Sequence, residues 1–235
     1  LRHDAQAQAA VDACRAEGVH AVLVTGDLAD DPVAATARVW AEATAALPGI
    51  DLLANNAGTC LDTMHFLDVP PELFARTMRL NVEAPYFLTQ QVARDWVARG
   101  VSGRVLFTGS INGRLAEPDH SAYDTSKGAI EMMVKTLCVA LAPRGIRVNG
   151  LAPGLVRTPL TDAFLSDPTA MAWMQRHTPN GAVPGPETCG EAAAFLLSDE
   201  AWHVQGHMLL VDGGMSIWQQ PAVPSDGDEP PPTSP

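Results

Sequence analysis

Five short runs of aliphatic and β-branched residues punctuate the chain: His20–Val24, Ile50–Ala54, Arg104–Thr108, Ile146–Leu151 and His207–Val211. Longer stretches with apolar residues at helical spacing lie between them. These are Pro32–Leu47, closed by Pro48-Gly49, two stretches within Pro71–Gly100, Ser121–Ala142 and Glu187–Ser198. A further Ala-rich helix over Asp4–Glu17, ended by Gly18, precedes the first run. A strand followed by a helix cannot return as a hairpin; it crosses over and pairs in parallel. Repeated, this pattern leaves one main solution: an α/β fold, a doubly wound parallel sheet with helices on both faces.

The length of 235 residues and a hydrophobic fraction of 46% suit one core, placed over residues 1–220. Thr158–Pro186 holds five prolines with scattered Phe164, Met171, Trp173 and Met174, and reads as an excursion from the sheet that serves as a lid. The ending PAVPSDGDEPPPTSP has little to bury and reads as a disordered tail from Pro221. No apolar run reaches the roughly 18 residues of a membrane span, and the first residues lack a signal peptide's apolar core. Cys14, Cys60, Cys138 and Cys189 form no CxxC pair and fit reduced thiols in a cytoplasmic protein. A formal charge of −12 opposes nucleic-acid binding and favours a small-molecule partner.

The most informative stretch is GSINGRLAEPDHSAYDTSKGAI. Tyr123 and Lys127 are four apart on one helix face. A phenol ionises near pH 10, and a nearby ammonium favours the phenolate, so the pair expects a lowered Tyr123 pKa and a usable proton donor and acceptor. Ser110 lies thirteen residues before Tyr123, just past a strand end, where parallel sheets bind ligands. Alone, YxxxK is more often a surface helical pair.

Other features join it in a fixed order: Asp27 after a strand, NNAG at Asn55–Gly58, Asn81 in LNVEAPYF, PGLVRT at Pro153–Thr158 and VDGG at Val211–Gly214. With these motifs the chain, from about Leu1 to Gly214, resembles the short-chain dehydrogenase/reductase family, and within it 3-oxoacyl-carrier-protein-reductase-like and sugar-dehydrogenase-like members. The resemblance implies a Rossmann-like oxidoreductase that interconverts an alcohol and a carbonyl with NAD or NADP. By resemblance, Tyr123 passes the proton, Ser110 hydrogen-bonds the substrate oxygen, Lys127 holds the nicotinamide ribose, and Asn81 supports a water leading to Lys127. Asp27 and Leu28 flank the adenine; Asn56, Ala57 and Gly58 line the adenosine ribose side; Pro153, Gly154, Val156 and Thr158 embrace the nicotinamide. It also implies a homo-oligomer, tetramer or dimer, with the Tyr123 helix and the last strand at interfaces. Each residue has a plainer reading: Asn55-Asn56 as a turn cap, Asn81 as a buried helix polar group, Pro153-Gly154 as a turn, Thr158 as the residue before Pro159, Asp27 as the cap of the next helix.

The stretch AVLVTGDLAD looks at first like a dinucleotide loop. That loop needs glycines at fixed steps, yet after Gly26 come Asp27, Asp30 and Asp31, which repel a diphosphate. By resemblance, Leu1 follows a second strand, so the first strand, its TGxxxGxG loop, the first helix and the second strand are expected to be missing. The resulting expectation is an N-terminally truncated Rossmann-like sheet in which His20–Val24 has lost its ladder partners. The alternative is a natural short form, a catalytically inactive fragment or binding module. The cofactor-selecting position would precede Leu1; the resemblance leans to NAD, with Arg2 as a candidate for a 2'-phosphate.

His203 and His207, with Glu200 nearby, are not read as a metal site, because Gly206 breaks the helix such spacing requires. His120, Asn112 and Glu117 fit either a substrate border or an exposed loop. Trp40 and Trp96 are read as core or helix-packing residues.

Overall fold

The computed structural model describes residues 5–218; the start of the chain and the ending expected to be disordered lie outside the described residues. In chain order the elements are α1 (Ala5–Ala16), α2 (Pro32–Ala46), β1 (Leu52–Asn55), α3 (Pro71–Met78), α4 (Ala84–Arg99), β2 (Arg104–Thr108), α5 (Ser121–Leu141), β3 (Arg147–Pro153), α6 (Asp162–Leu165), α7 (Pro168–His177), α8 (Glu187–Leu197) and β4 (Met208–Val211). The sheet has the order β1-β2-β3-β4, and every pair is parallel.

Alternation along the central strands sorts the helices onto two faces. Val105 and Phe107 of β2, with Val148 and Ala152 of β3, pack against Val92, Ala93 and Trp96 of α4 and Ile130, Met133 and Val134 of α5. The intervening Leu106 and Leu151 point the other way, onto Leu196, Ala193 and Cys189 of α8. The doubly wound arrangement is thus written in a two-residue period. Trp96 is fully buried and donates its indole N–H to the Ile50 carbonyl at 2.7 Å. Its ring lies so close to Gly103 that a Cβ there would sit 2.0 Å from it, which restricts the position to glycine. Trp40 packs on the same core from α2.

One expected strand is not a strand. Residues 19–27 carry no ladder between α1 and α2, and β1 pairs only with β2. Side chains tether the segment instead. Arg15 donates to the Ala21 carbonyl at 2.8 and 3.1 Å, and Arg38 to the Thr25 carbonyl at 3.1 Å. The β-branched composition of His20–Val24 is a preference for a pleated, half-buried surface; without a neighbouring row of N–H and C=O groups it makes no strand. The two helical stretches expected within Pro71–Gly100 form one path, because α3 runs into α4 through a π-helical turn at Arg79–Glu83.

Helix α2 starts on Asp31, whose Oδ1 accepts from Ala34 N at 3.1 Å, with Pro32 in the first turn. The excursion Thr158–Pro186 contains α6 and α7, with Leu165 and Met174 buried and Trp173 stacked on His177 at 3.9 Å. Among the described residues, no helix is long and apolar enough to cross a membrane.

Candidate active site

The parallel sheet aligns the C-terminal ends of its strands on one edge. Asn56 follows β1, Ser110 follows β2, Pro153 ends β3 and Asp212 follows β4. Helix α5 carries Tyr123 and Lys127 in its first two turns on the face turned to this edge. Lys127 is buried, and its Nζ donates to the Thr108 carbonyl at 2.9 Å while lying 5.5 Å from the centre of the Tyr123 ring. Ser110 caps a 3-10 turn, accepting from Asn112 N at 3.2 Å, and lies near enough to the Tyr123 phenol to act on its ionisation.

The electrostatics depart from one expectation. Tyr123 is not lowered: burial raises its pKa, the Ser110 side chain opposes this, and Cys60, Asp124 and Glu117 add to the rise. The physical reason is burial of the phenol itself, which the spacing of four does not encode; Lys127 is desolvated as well. Burial pushes the ammonium down to about 8, against a weaker opposing effect of Cys60. Cys60, half-buried beside Asp62, is pushed up to about 12, first by burial and then by the surrounding carboxylates. It is an unreactive thiol.

Asn81 sits in the π-helical turn, a feature frequent at functional sites. Its side chain is committed on both ends. Oδ1 accepts from Thr59 N at 2.8 Å, and Nδ2 donates to Thr59 O at 2.8 Å and to Ser126 Oγ at 2.9 Å. Ser126 in turn donates to the Tyr123 carbonyl at 2.7 Å. Gly58 faces this group; a Cβ added there would lie 3.4 Å from Asn81 Oδ1 and 3.7 Å from Lys127 Nζ.

Leu28, Asn56 and Ala57 share a small cavity of about 70 Å³ with Leu80, Pro85 and Leu88. Asn56 Oδ1 accepts from Thr108 Oγ1 at 2.9 Å, which links this cavity to the Lys127 anchor. Asn55 turns away and donates to Thr89 Oγ1 at 3.0 Å. Exposed Asp27 accepts from Ala29 N at 2.9 Å in a local turn; the cap of the next helix is Asp31. Pro153 and Gly154 hold the loop after β3 against β4. Gly154 N donates to Val211 O at 3.0 Å, and a Cβ on Gly154 would meet Asp212 Cβ at 2.8 Å. Val156 is buried, and Thr158 is tied to Thr161 through its amide at 2.9 Å.

Some members of the cluster carried no local signal. Thr108, Ser126 and Asp62 brace Lys127, Asn81 and the α5 amides. Asn112 and Asp124, joined at 2.9 Å, staple the loop between Ser110 and Tyr123, whose Glu117 N also donates to Asp124 at 2.8 Å. His120 lies over Tyr123 with centroids 6.5 Å apart, its Nδ1 2.8 Å from Glu117 and 3.0 Å from Asp119. His203 stacks at a tilt on Trp202, while His207 joins the sheet through Asn149.

The donor set suits part of a dinucleotide. Lys127 keeps donors for a ribose diol, Gly58 leaves room beside them, and the cavity at Leu28, Asn56 and Ala57 is apolar enough for a base. Among the described residues no glycine-rich diphosphate cradle accompanies it.

A family model described as enoyl-(acyl carrier protein) reductase matches residues 2–216. The chain is 34% identical over 215 residues to an L-rhamnose 1-dehydrogenase (NAD(P)(+)) of Sphingomonas sp., covering 91% of this chain and 83% of that one. It is 32% identical over 215 residues to an L-rhamnose 1-dehydrogenase (NADP(+)) of Thermoplasma acidophilum, covering 92% and 84%. A solved gluconate 5-dehydrogenase from Burkholderia cenocepacia, in complex with NADP and tartrate, superposes with a TM-score of 0.81 at 33% identity, covering 89% of this chain and 81% of that one.

Proposed function

The chain belongs to the short-chain dehydrogenase/reductase family and is an NAD(P)-dependent oxidoreductase; from that premise we propose that it interconverts a secondary alcohol and a ketone of a sugar, polyol or sugar acid, with Tyr123 as the acid/base. One observation carries the assignment of roles. The Tyr123 phenol lies beside Ser110, with the buried Lys127 Nζ 5.5 Å from its ring centre, at the C-terminal edge of a parallel sheet. The substrate class is supported by relatives named for rhamnose and gluconate.

Bound NAD(P) supplies or accepts the hydride. Lys127 would hold its nicotinamide ribose, and Asp27 and Leu28 its adenine. Asn56, Ala57 and Gly58 would line the ribose side, with Pro153, Gly154, Val156 and Thr158 around the nicotinamide. In the reducing direction Tyr123 Oη gives its proton to the substrate oxygen, while Ser110 Oγ hydrogen-bonds that oxygen and fixes its place. In the oxidising direction Tyr123 takes the proton from the alcohol. The phenolate that forms on reduction is stabilised by Lys127, which stays in place through Thr108 O. Asn81 holds the Thr59 and Ser126 segments around Lys127, the route by which the proton is restored.

The test is NAD(P)H absorbance over a panel of sugars, polyols and their acids with wild type and Tyr123→Phe. Turnover on one of them, lost in the variant while NADH binding persists, is expected; equal turnover would sink the mechanism. Absence of both NADH and NADPH binding would favour instead a non-catalytic binding module of the same family.

The domain spans residues 1–220 in this reading. The groove between α4 and α5, about 530 Å³ and lined by Tyr86, Ala93, Val97, Leu137, Ala140 and Leu141, supports a homo-oligomer with that face as a subunit contact. Light scattering on wild type and Leu137→Glu tests it, with a loss of mass expected in the variant. Four free cysteines support a reducing, cytoplasmic setting.

A further inference from the structure

Asp62 is fully buried. It reaches from the segment after β1 to the first turn of α5, where Oδ2 accepts from Ala122 N at 2.6 Å and from Tyr123 N at 3.3 Å. His120, at the cap position of α5, makes no capping bond with its side chain. Asp62 therefore does from sixty residues away what Asp31 does locally for α2. A helix cap needs no charge, since serine or asparagine caps as well. A buried carboxylate is costly unless its oxygens are matched, and Oδ1 of Asp62 is buried without a hydrogen-bond partner among the described residues. The site thus places a carboxyl group, which capping alone does not require, on the amide of the residue that carries the phenol. Around that phenol stand Lys127 and Asp124 of α5, Cys60 after β1, and Glu117 and His120 of the preceding loop.

On the reading that Tyr123 carries the proton, we propose that Asp62 is a positioning residue for Tyr123: its carboxylate fixes the first turn of α5, and so the phenol's place against Ser110, and its charge favours the protonated phenol over the phenolate. A neutral residue that still caps should keep the geometry and change the ionisation. One that is too short should lose the geometry as well.

The chain has two tyrosines, Tyr86 and Tyr123, so labelling with tyrosine carrying carbon-13 at Cζ yields two resonances, assigned by Tyr123→Phe. Their pH titration needs neither substrate nor cofactor. In Asp62→Asn the Tyr123 midpoint is expected at lower pH than in wild type, with Tyr86 unmoved, and the basic limb of the kcat profile moves the same way. In Asp62→Ser kcat is expected to fall about tenfold, with KM and NADH affinity unchanged, through misplacement of the phenol, and Asp62→Asn restores most of it. An unmoved Tyr123 titration in a folded Asp62→Asn protein overturns the proposal. So does failure of both variants to fold, which would assign the carboxylate to the fold alone. Full turnover in Tyr123→Phe overturns instead the reading beneath it, and the titration then judges Asp62 by itself.

Discussion

Replacing Lys127 with methionine should make the protein more stable at neutral pH and inactive. Lys127 is buried, and its ammonium is pushed from 10.5 down to about 8 by desolvation. Below about pH 8 the group is charged in both the folded and the unfolded chain, and the folded state bears the whole cost of burying it. The difference between the two values corresponds to about 3 kcal/mol. Methionine has similar length and no charge, but it forfeits the bond to Thr108 O, worth about 1 kcal/mol, and leaves that carbonyl unmatched. A net gain of about 1–2 kcal/mol at pH 7 follows, a rise in Tm of about 3–6 °C for a chain of this size. As pH rises from about 8 towards 10.5, the folded state releases the proton while the unfolded chain keeps it, so wild-type stability recovers and the gap to Lys127→Met closes. Thermal unfolding of both proteins at pH 7 and pH 10 reads this directly. A variant less stable at pH 7, or a gap that does not shrink with pH, would falsify the desolvation argument.

Trp96→Ala should cost about 3–5 kcal/mol, measured by urea unfolding, because it empties a fully buried site and leaves the Ile50 carbonyl without its indole donor. Gly58→Val should leave Tm nearly unchanged but weaken NADH binding by about tenfold or more, since its Cβ would face Asn81 and Lys127 at 3.4 and 3.7 Å and its methyls would occupy the adjoining space; calorimetric titration measures it. Asp31→Ala should lower stability by about 1 kcal/mol through loss of the α2 cap, with Asp31→Ser restoring most of it in the same unfolding assay.

The parts of the fold that rest on local pattern were legible in the sequence. Val105, Phe107 and the intervening Leu106 alternate faces as written, and the face of α5 that joins Tyr123 to Lys127 follows from a spacing of four. What depended on a distant partner was not legible. His20–Val24 has strand composition but no ladder, because a ladder belongs to two segments at once. The π-helical turn that holds Asn81 has no composition of its own. Asp62 is an unremarkable acid until α5 arrives over it. The raised phenol of Tyr123 likewise follows from burial, which a spacing rule does not contain.

The register of the sheet also bears on how the molecule comes together in time. Leu52 pairs with Arg104, Val105 with Val148 and Gly150 with Met208, so every rung joins residues more than forty positions apart. Closing such loops costs entropy before any contact is gained. The sheet therefore has no hairpin from which to nucleate, and α4 and α5 must be near formed when β2 first meets β3. Folding belongs to the slow, non-local regime, milliseconds to seconds. Trp96, caught between α4, Gly103 and the strand edge, is placed to report the moment of closure by its fluorescence.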